Sequence, residues 1–322
     1  MVEAVVSPDD VTAPMIVIAG PTASGKTALA LRMAEEFAGE IVSCDSVAVY
    51  REMEIGTAKP TAEERALVPH HMIDIAWPDE PVTAGDYSRQ AREALGGIVE
   101  RGRLPIVTGG TGLYLRALID GLFPAPPQQE GLRERLRSIA AKRGPGYMHR
   151  MLARLDGSAA RAIHANDVPK VVRAIEVSLA ARQPLTEQWQ KGRDRLVGYR
   201  ILRLGLNPER ARLYECINQR AAAMFDRGLV EETERLIERY GAGCRSLGAL
   251  GYAQAARVLS GELTREAVVA EAQQGHRNYA KRQLTWFRRE REMHWLNGCG
   301  GDADVFDQAR RLVADFLMTS HN

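Results

Sequence analysis

Gly20, Pro21, Thr22, Ala23, Ser24, Gly25, Lys26 and Thr27 spell GxxxxGK[ST], the sharpest chemical signal in the chain. They follow the apolar run Met15 to Ala19 and precede a helix-forming stretch that includes Ala28 to Leu31, Met33 and Ala34. That is the strand, loop, helix setting which the motif requires. Its glycines permit a loop whose backbone N–H groups converge on phosphate oxygens, and the helix that follows adds its positive dipole end. Lys26 would lie against the phosphates, and Thr27 could hold a magnesium ion through its hydroxyl. The competing structural reading is a glycine-rich turn with a surface lysine. The loop calls for a phosphorylated ligand without saying which one.

Two further spots lie at strand ends. Asp45, with Ser46 beside it, follows the β-like run Glu40 to Cys44, so its carboxylate falls in the crevice where parallel sheets bind ligands. Position alone leaves it as a magnesium ligand, a general base or a solvated turn residue. A third run, Leu104 to Val107, ends in Thr108-Gly109-Gly110-Thr111, where a nucleotide hydrolase would place a magnesium-binding aspartate. Glycines there let substrate or backbone approach closely. Thr111 offers a hydroxyl to the same crevice, or caps the helix from Gly112 to Leu118.

These residues need a scaffold, and the hydrophobic pattern supplies one. The strand-like runs, completed by Tyr199 to Leu206, alternate with helical stretches at Tyr87 to Gly102, Glu209 to Arg239 and Thr264 to about Arg291. Such alternation predicts an α/β fold, a P-loop NTPase-like parallel sheet flanked by helices. Between Glu130 and Arg182 only helical stretches occur, which predicts an all-helical insertion domain splitting the core. The expected organisation is a loose N-terminal tail over 1–14, a catalytic core over 15–125 and 199–322, and an insertion over 126–198.

The chain has 322 residues, of which 45% are hydrophobic, in keeping with a soluble globular protein. No run approaches the roughly 18 apolar residues of a membrane span, and the first fourteen residues do not resemble a signal peptide. The four cysteines, Cys44, Cys216, Cys244 and Cys299, form no CxxC pair, which points away from zinc or disulfides and toward a reducing cytoplasm. His70-His71, His149 and His164 lack metal-ligand spacing and read as structural.

Net charge is only +2, yet two stretches are strongly basic. Leu132 to Arg154 carries +6 and Arg277 to Trp295 carries +4, leaving −8 for the rest of the chain. If the second stretch is one helix, Ala280, Leu284 and Phe287 form its buried stripe and Arg277, Lys281, Thr285 and Arg288 a neighbouring face. Lys170 and Arg173 add a smaller pair. Basic faces interleaved with Tyr279, Trp286, Phe287 and Trp295 suit nucleic acid, although taken alone such a run is better explained as a solvated face. Three basic groups around one phosphate site favour a large polyanionic substrate.

The ordered motifs closely resemble those of the tRNA dimethylallyltransferases. They are Gly20 to Thr27, Asp45-Ser46 with Tyr50, Ile55 to Pro60, Gly109 to Tyr114, Asn166-Asp167 with Arg173 to Val177, Gly251-Tyr252 and Lys281 to Arg288. They run from Ile16 to about Leu296. The resemblance implies transfer of a dimethylallyl group from dimethylallyl diphosphate to N6 of adenosine 37, beside the tRNA anticodon. The P-loop would then hold diphosphate as a leaving group, with Arg220 and a magnesium ion near Thr27 assisting. Asp45 would be the base and Thr111 would line the reaction centre.

The resemblance also places contacts to the tRNA anticodon stem-loop on Asp45, Ser46, Val47, Ala48, Thr111, Arg133, Pro169, Lys170, Val171, Val172 and Arg173. Further contacts fall on Gly248, Ala249, Leu250, Gly251, Tyr252, Ala253, Lys281, Arg282, Gln283, Leu284, Thr285, Trp286, Phe287 and Arg288. Gly248 replaces an arginine of some members, and Lys170 replaces an arginine of many, which keeps charge but loses a bidentate fork. The implied enzyme is a cytoplasmic monomer without a membrane partner. The alternatives are an adenylate dimethylallyltransferase acting on free nucleotide and a P-loop small-molecule kinase.

Overall fold

A computed structural model describes residues 12–319 apart from 124, 125, 127 and 191. The chain forms two compact units, one of residues 1–119 and 196–322, the other of residues 120–195. The first comprises β1 (Ala13–Ala19), α1 (Lys26–Glu36), β2 (Gly39–Cys44), α2 (Ala62–Leu67), β3 (His70–His71), α3 (Ala84–Glu100), β4 (Leu104–Gly109) and α4 (Gly112–Ile119). The second holds α5 (Glu130–Arg143), α6 (Pro145–Leu155), α7 (Gly157–Ala162), α8 (Val168–Ala181) and α9 (Leu185–Gln190). The first unit resumes with β5 (Tyr199–Leu206), α10 (Arg210–Asp226), α11 (Leu229–Tyr240), α12 (Tyr252–Leu259), α13 (Arg265–Phe287), β6 (Met293–Leu296) and α14 (Ala303–Met318).

All six strands are parallel, in the order β3-β2-β4-β1-β5-β6. The period-two pattern of β1 shows why both faces are covered. Met15, Val17 and Ala19 pack with Tyr87, Leu95 and Leu118 on one side, whereas Ile16 and Ile18 pack with Leu29, Met33 and Val313 on the other. The helices that provide this cover begin at local signals. Thr83 and Asp86 form a capping box at α3, and Thr61 and Glu64 form one at α2.

The fold class is the one the sequence predicts, with several boundaries moved. Residues 1–11 of the expected tail lie outside the described residues, while Ala13 and Pro14 already pair with Tyr199 and Arg200 in the sheet. The stretch Glu209 to Arg239 is two helices, because Gly228 at φ 94° turns the chain between α10 and α11. Arg277 to Trp295 is not one helix either: α13 ends at Phe287 and Trp295 lies on the edge strand β6. The second unit runs from Asp120 to Arg195 where the sequence suggests 126–198. Leu196 donates to the Ile119 carbonyl at 2.9 Å, so the chain leaves and re-enters the first unit at neighbouring points.

The helical unit has its own core, built from Leu136, Met148, Leu152, Val171, Val172, Ile175 and Val177. Glu176, fully buried, accepts from the Arg133 Nε at 3.1 Å and Nη2 at 2.6 Å and from the Gln129 N–H at 2.9 Å. Removing one partner of a buried ion pair strands the other charge. Glu176→Leu is therefore expected to lower the stability of this unit by about 3–5 kcal/mol. Urea unfolding followed by tryptophan fluorescence and circular dichroism checks this, and a loss below about 1 kcal/mol would contradict it.

Candidate active site

The loop between β1 and α1 is held in shape from several sides. Gly25 takes φ 83° and ψ 17°, a left-handed conformation that favours glycine. A Cβ there would come 2.8 Å from the Gly300 nitrogen. Gly300 donates to the Ser24 carbonyl at 2.8 Å, so the segment after β6 braces the loop from behind. The Ser24 hydroxyl and the Lys26 ammonium both donate to the Pro21 carbonyl, at 2.8 and 2.6 Å. From α13, the Gln283 carboxamide accepts from Thr22 N–H at 2.7 Å and donates to the Gly110 carbonyl at 2.9 Å. One buried side chain thus ties the phosphate loop to the end of β4.

The ends of β2 and β4 meet beside that loop. A Cβ on Gly109 would lie 2.0 Å from the Cys44 carbonyl oxygen, so the close strand approach demands glycine there. Asp45 Oδ1 accepts from Val47 N–H at 2.8 Å and Ala48 N–H at 3.3 Å. This aims the carboxylate and fixes the turn that carries it. Thr111 Oγ accepts from Ser46 N–H at 3.0 Å, which joins the two loops. Asp45, Lys26, Thr27, Arg220 and Tyr279 line one cavity.

The cations of this cavity sit in one another's field. Burial, reinforced by Arg220, pushes the Lys26 ammonium down to about 7, with Asp45 opposing the shift. Burial also depresses the Arg220 guanidinium, which donates to the Thr57 carbonyl at 3.5 Å and has no ion pair among the described residues. Both gain from an anion. Tyr279 is pushed up to about 12 by burial and by the Asp45 carboxylate, so its phenol stays protonated.

A proton uptake follows from the lysine. At pH 8 a group titrating near 7 is mostly neutral, and a bound diphosphate raises its affinity for a proton. Diphosphate binding at pH 8 is expected to take up nearly one proton, an uptake that shrinks as pH falls below 7. Calorimetry in buffers of different ionisation enthalpy measures it. Equal heats in all buffers would show that Lys26 is already charged.

A family model described as "IPP transferase" matches residues 48–290, and a second, "Isopentenyl transferase", matches residues 14–75. A tRNA dimethylallyltransferase of Koribacter versatilis (strain Ellin345) is 60% identical over 299 residues, covering 93% of this chain and 97% of that protein. The chain belongs to the tRNA dimethylallyltransferase family. A relative from Solibacter usitatus (strain Ellin6076) is 50% identical, covering 94% and 99%. Among solved structures, a tRNA isopentenylpyrophosphate transferase from Bacillus halodurans superposes with TM-score 0.70 at 36% identity, covering 95% of this chain and 97% of that one. A eukaryotic dimethylallyltransferase acting on tRNA superposes with TM-score 0.80 at 25% identity, covering 96% and 80%.

Against the contacts that the family resemblance suggests, the structure sorts the residues by exposure. Lys281, Arg282 and Thr285 are exposed on α13, and Arg288 is exposed just past its end. Lys281, Leu284, Thr285 and Arg288 border a cleft of about 950 Å³, which they share with Arg210. Trp286 is half-buried beneath the Arg116 guanidinium, 4.5 Å from its ring centre. Gln283 and Phe287 are buried, so Gln283 is a brace of the phosphate loop rather than an open surface group.

Tyr252 is also enclosed: its hydroxyl donates to Glu232 at 2.6 Å and accepts from Gly56 N–H at 3.2 Å. Gly251 begins α12 at φ 90°, and Gly248 is exposed with open space around it, beside half-buried Ala249, Leu250 and Ala253. In the helical unit, Pro169 and Lys170 are exposed, Val171 and Val172 belong to its core, and Arg133 and Arg173 turn to Glu176. Arg133 and Arg173 are therefore not a free basic face. Tyr279 and His276 were not singled out as site residues by the motif; the visible signal was spacing. Ala272, His276, Ala280, Gln283 and Phe287 recur every three or four residues and share one face of α13.

Proposed function

We infer that the chain transfers a dimethylallyl group from dimethylallyl diphosphate to N6 of adenosine 37, next to the tRNA anticodon, releasing diphosphate. The observation that carries this reading is the placement of Asp45 in the same cavity as Lys26, Arg220 and the phosphate loop, with glycines at the end of β4. A phosphate grip faces a carboxylate across a gap that a substrate can enter.

In this mechanism Asp45 accepts a proton from the exocyclic amine as N6 forms its bond to C1 of the prenyl group. The amine is a weak nucleophile because its lone pair is delocalised into the ring, so an aligned base assists it. The C1–O bond breaks and its electron pair leaves on the diphosphate, whose charge is met by Lys26, Arg220 and loop N–H groups. Thr111 lines the reaction centre. Among the described residues no group of three His, Cys, Asp or Glu could cage a metal. A magnesium ion held by the Thr27 hydroxyl together with substrate oxygens and water fits that donor set. Bound there, it would neutralise leaving-group charge.

The basic face of α13 supplies charge of the kind that an anticodon stem-loop requires, and the adenine leaves its stack to reach Asp45. The protein acts in the cytoplasm as a monomer. Radiolabelled dimethylallyl diphosphate offered with tRNA or with AMP tests the reading. Label is expected in tRNA alone; label entering only AMP, or ATP bound more tightly than the prenyl donor, would overturn it.

A further inference from the structure

We propose that His276 is an additional diphosphate-binding residue, its Nε2–H donating a hydrogen bond to an oxygen of the prenyl donor. The inference rests on the reading of function above and adds a residue to that site. His276 lies on the face of α13 that also carries Gln283, the side chain bound to Thr22 of the phosphate loop. It lines a small recess with Thr22, Ala23, Arg220, Ile217 and Met224. Flanking bonds fix it there: Gln273 donates to the Asn218 carbonyl at 3.1 Å, and Arg277 donates to the Asn218 side chain at 2.5 Å. Its helix is thereby pinned to α10, two residues before Arg220.

The Nε2 atom is buried and has no hydrogen-bond partner. A buried polar nitrogen without a partner is costly and calls for a ligand. Its neighbours narrow the choice. The recess shares Thr22 and Arg220 with the cavity that Lys26 and Asp45 line, so an anion held by the phosphate loop and Arg220 lies next to it, whereas a cation would be repelled by Arg220. Burial, with Arg220, pushes the imidazole down to about 4, so the ring is neutral near pH 7. It can add a donor without setting a second positive charge beside the guanidinium. Ile217 and Met224 add apolar walls to the recess.

The test compares His276→Leu with His276→Gln in the full chain. Three quantities are measured: the affinity for inorganic diphosphate by calorimetry, and the KM values for dimethylallyl diphosphate and for tRNA. Leucine is expected to weaken diphosphate binding about tenfold, the scale of a hydrogen bond to a charged group. The KM of the prenyl donor should rise with it, that of tRNA should stay unchanged, and the thermal midpoint should not fall. Glutamine, which carries a donor at similar reach, is expected to recover most of the affinity. Wild-type affinity in the leucine variant would overturn the contact, as would equal losses in both variants or a parallel rise in the tRNA KM. Wild-type protein that binds inorganic diphosphate but transfers no prenyl label would instead refute the function and leave the His276 contact readable in the same titration.

Discussion

Asp45→Asn is expected to lower kcat by about 10²- to 10⁴-fold, the usual contribution of a positioned general base, while tRNA affinity stays at the wild-type level. Asparagine is the informative replacement. Asp45 Oδ1 holds the Val47 and Ala48 N–H groups, and an amide oxygen can keep both bonds. Alanine would release that turn and confuse loss of basicity with loss of shape. Single-turnover transfer of labelled prenyl group reads the chemical step, and filter binding reads tRNA affinity. Turnover within threefold of wild type would remove Asp45 as the base.

Lys26→Ala is expected to reduce kcat/KM for the prenyl donor by about 10²- to 10³-fold, comparable to losing one donor from an anion-stabilising site. Its ammonium donates to the Pro21 carbonyl, which the Ser24 hydroxyl also holds, so the loop should survive the change. The loss should fall on kcat as well as KM, because charge on the leaving oxygen is greater in the transition state than in the bound substrate. Lys26→Arg is not expected to rescue it: the planar fork is larger, and the cavity already holds the Arg220 guanidinium. Steady-state kinetics with saturating tRNA decides this, and a reduction smaller than about fivefold would show that Arg220 and the loop N–H groups carry the charge without Lys26.

The contrast between these two residues and others in the chain shows what a sequence can disclose. The phosphate loop was legible because its chemistry is local: eight consecutive residues set their own backbone, and the strand and helix on either side need only nearest neighbours. The parallel sheet was legible for a similar reason, since its strands read as apolar runs separated by helical stretches. The two breaks at Gly228 and Phe287 were not. A glycine inside a helical pattern can be tolerated or can end the helix, and the edge strand β6 is only four residues long.

Family motifs placed Tyr252, Gln283 and Arg133 among the RNA contacts, and the structure gives each an internal partner. Tyr252 meets Gly56 across 196 positions, Gln283 meets Gly110 across 173, and Arg133 meets Glu176 across 43. No local pattern encodes such distances. A basic or aromatic residue at helical spacing declares which face it shares, but whether that face meets solvent or protein is decided by the element packed against it. The sequence by itself determined the phosphate cradle, the layered α/β order and the basic character of α13. Only the tertiary structure decided which polar side chains brace the cradle and which, like Arg220 and His276, are left facing it, because long-range packing sets both burial and partner.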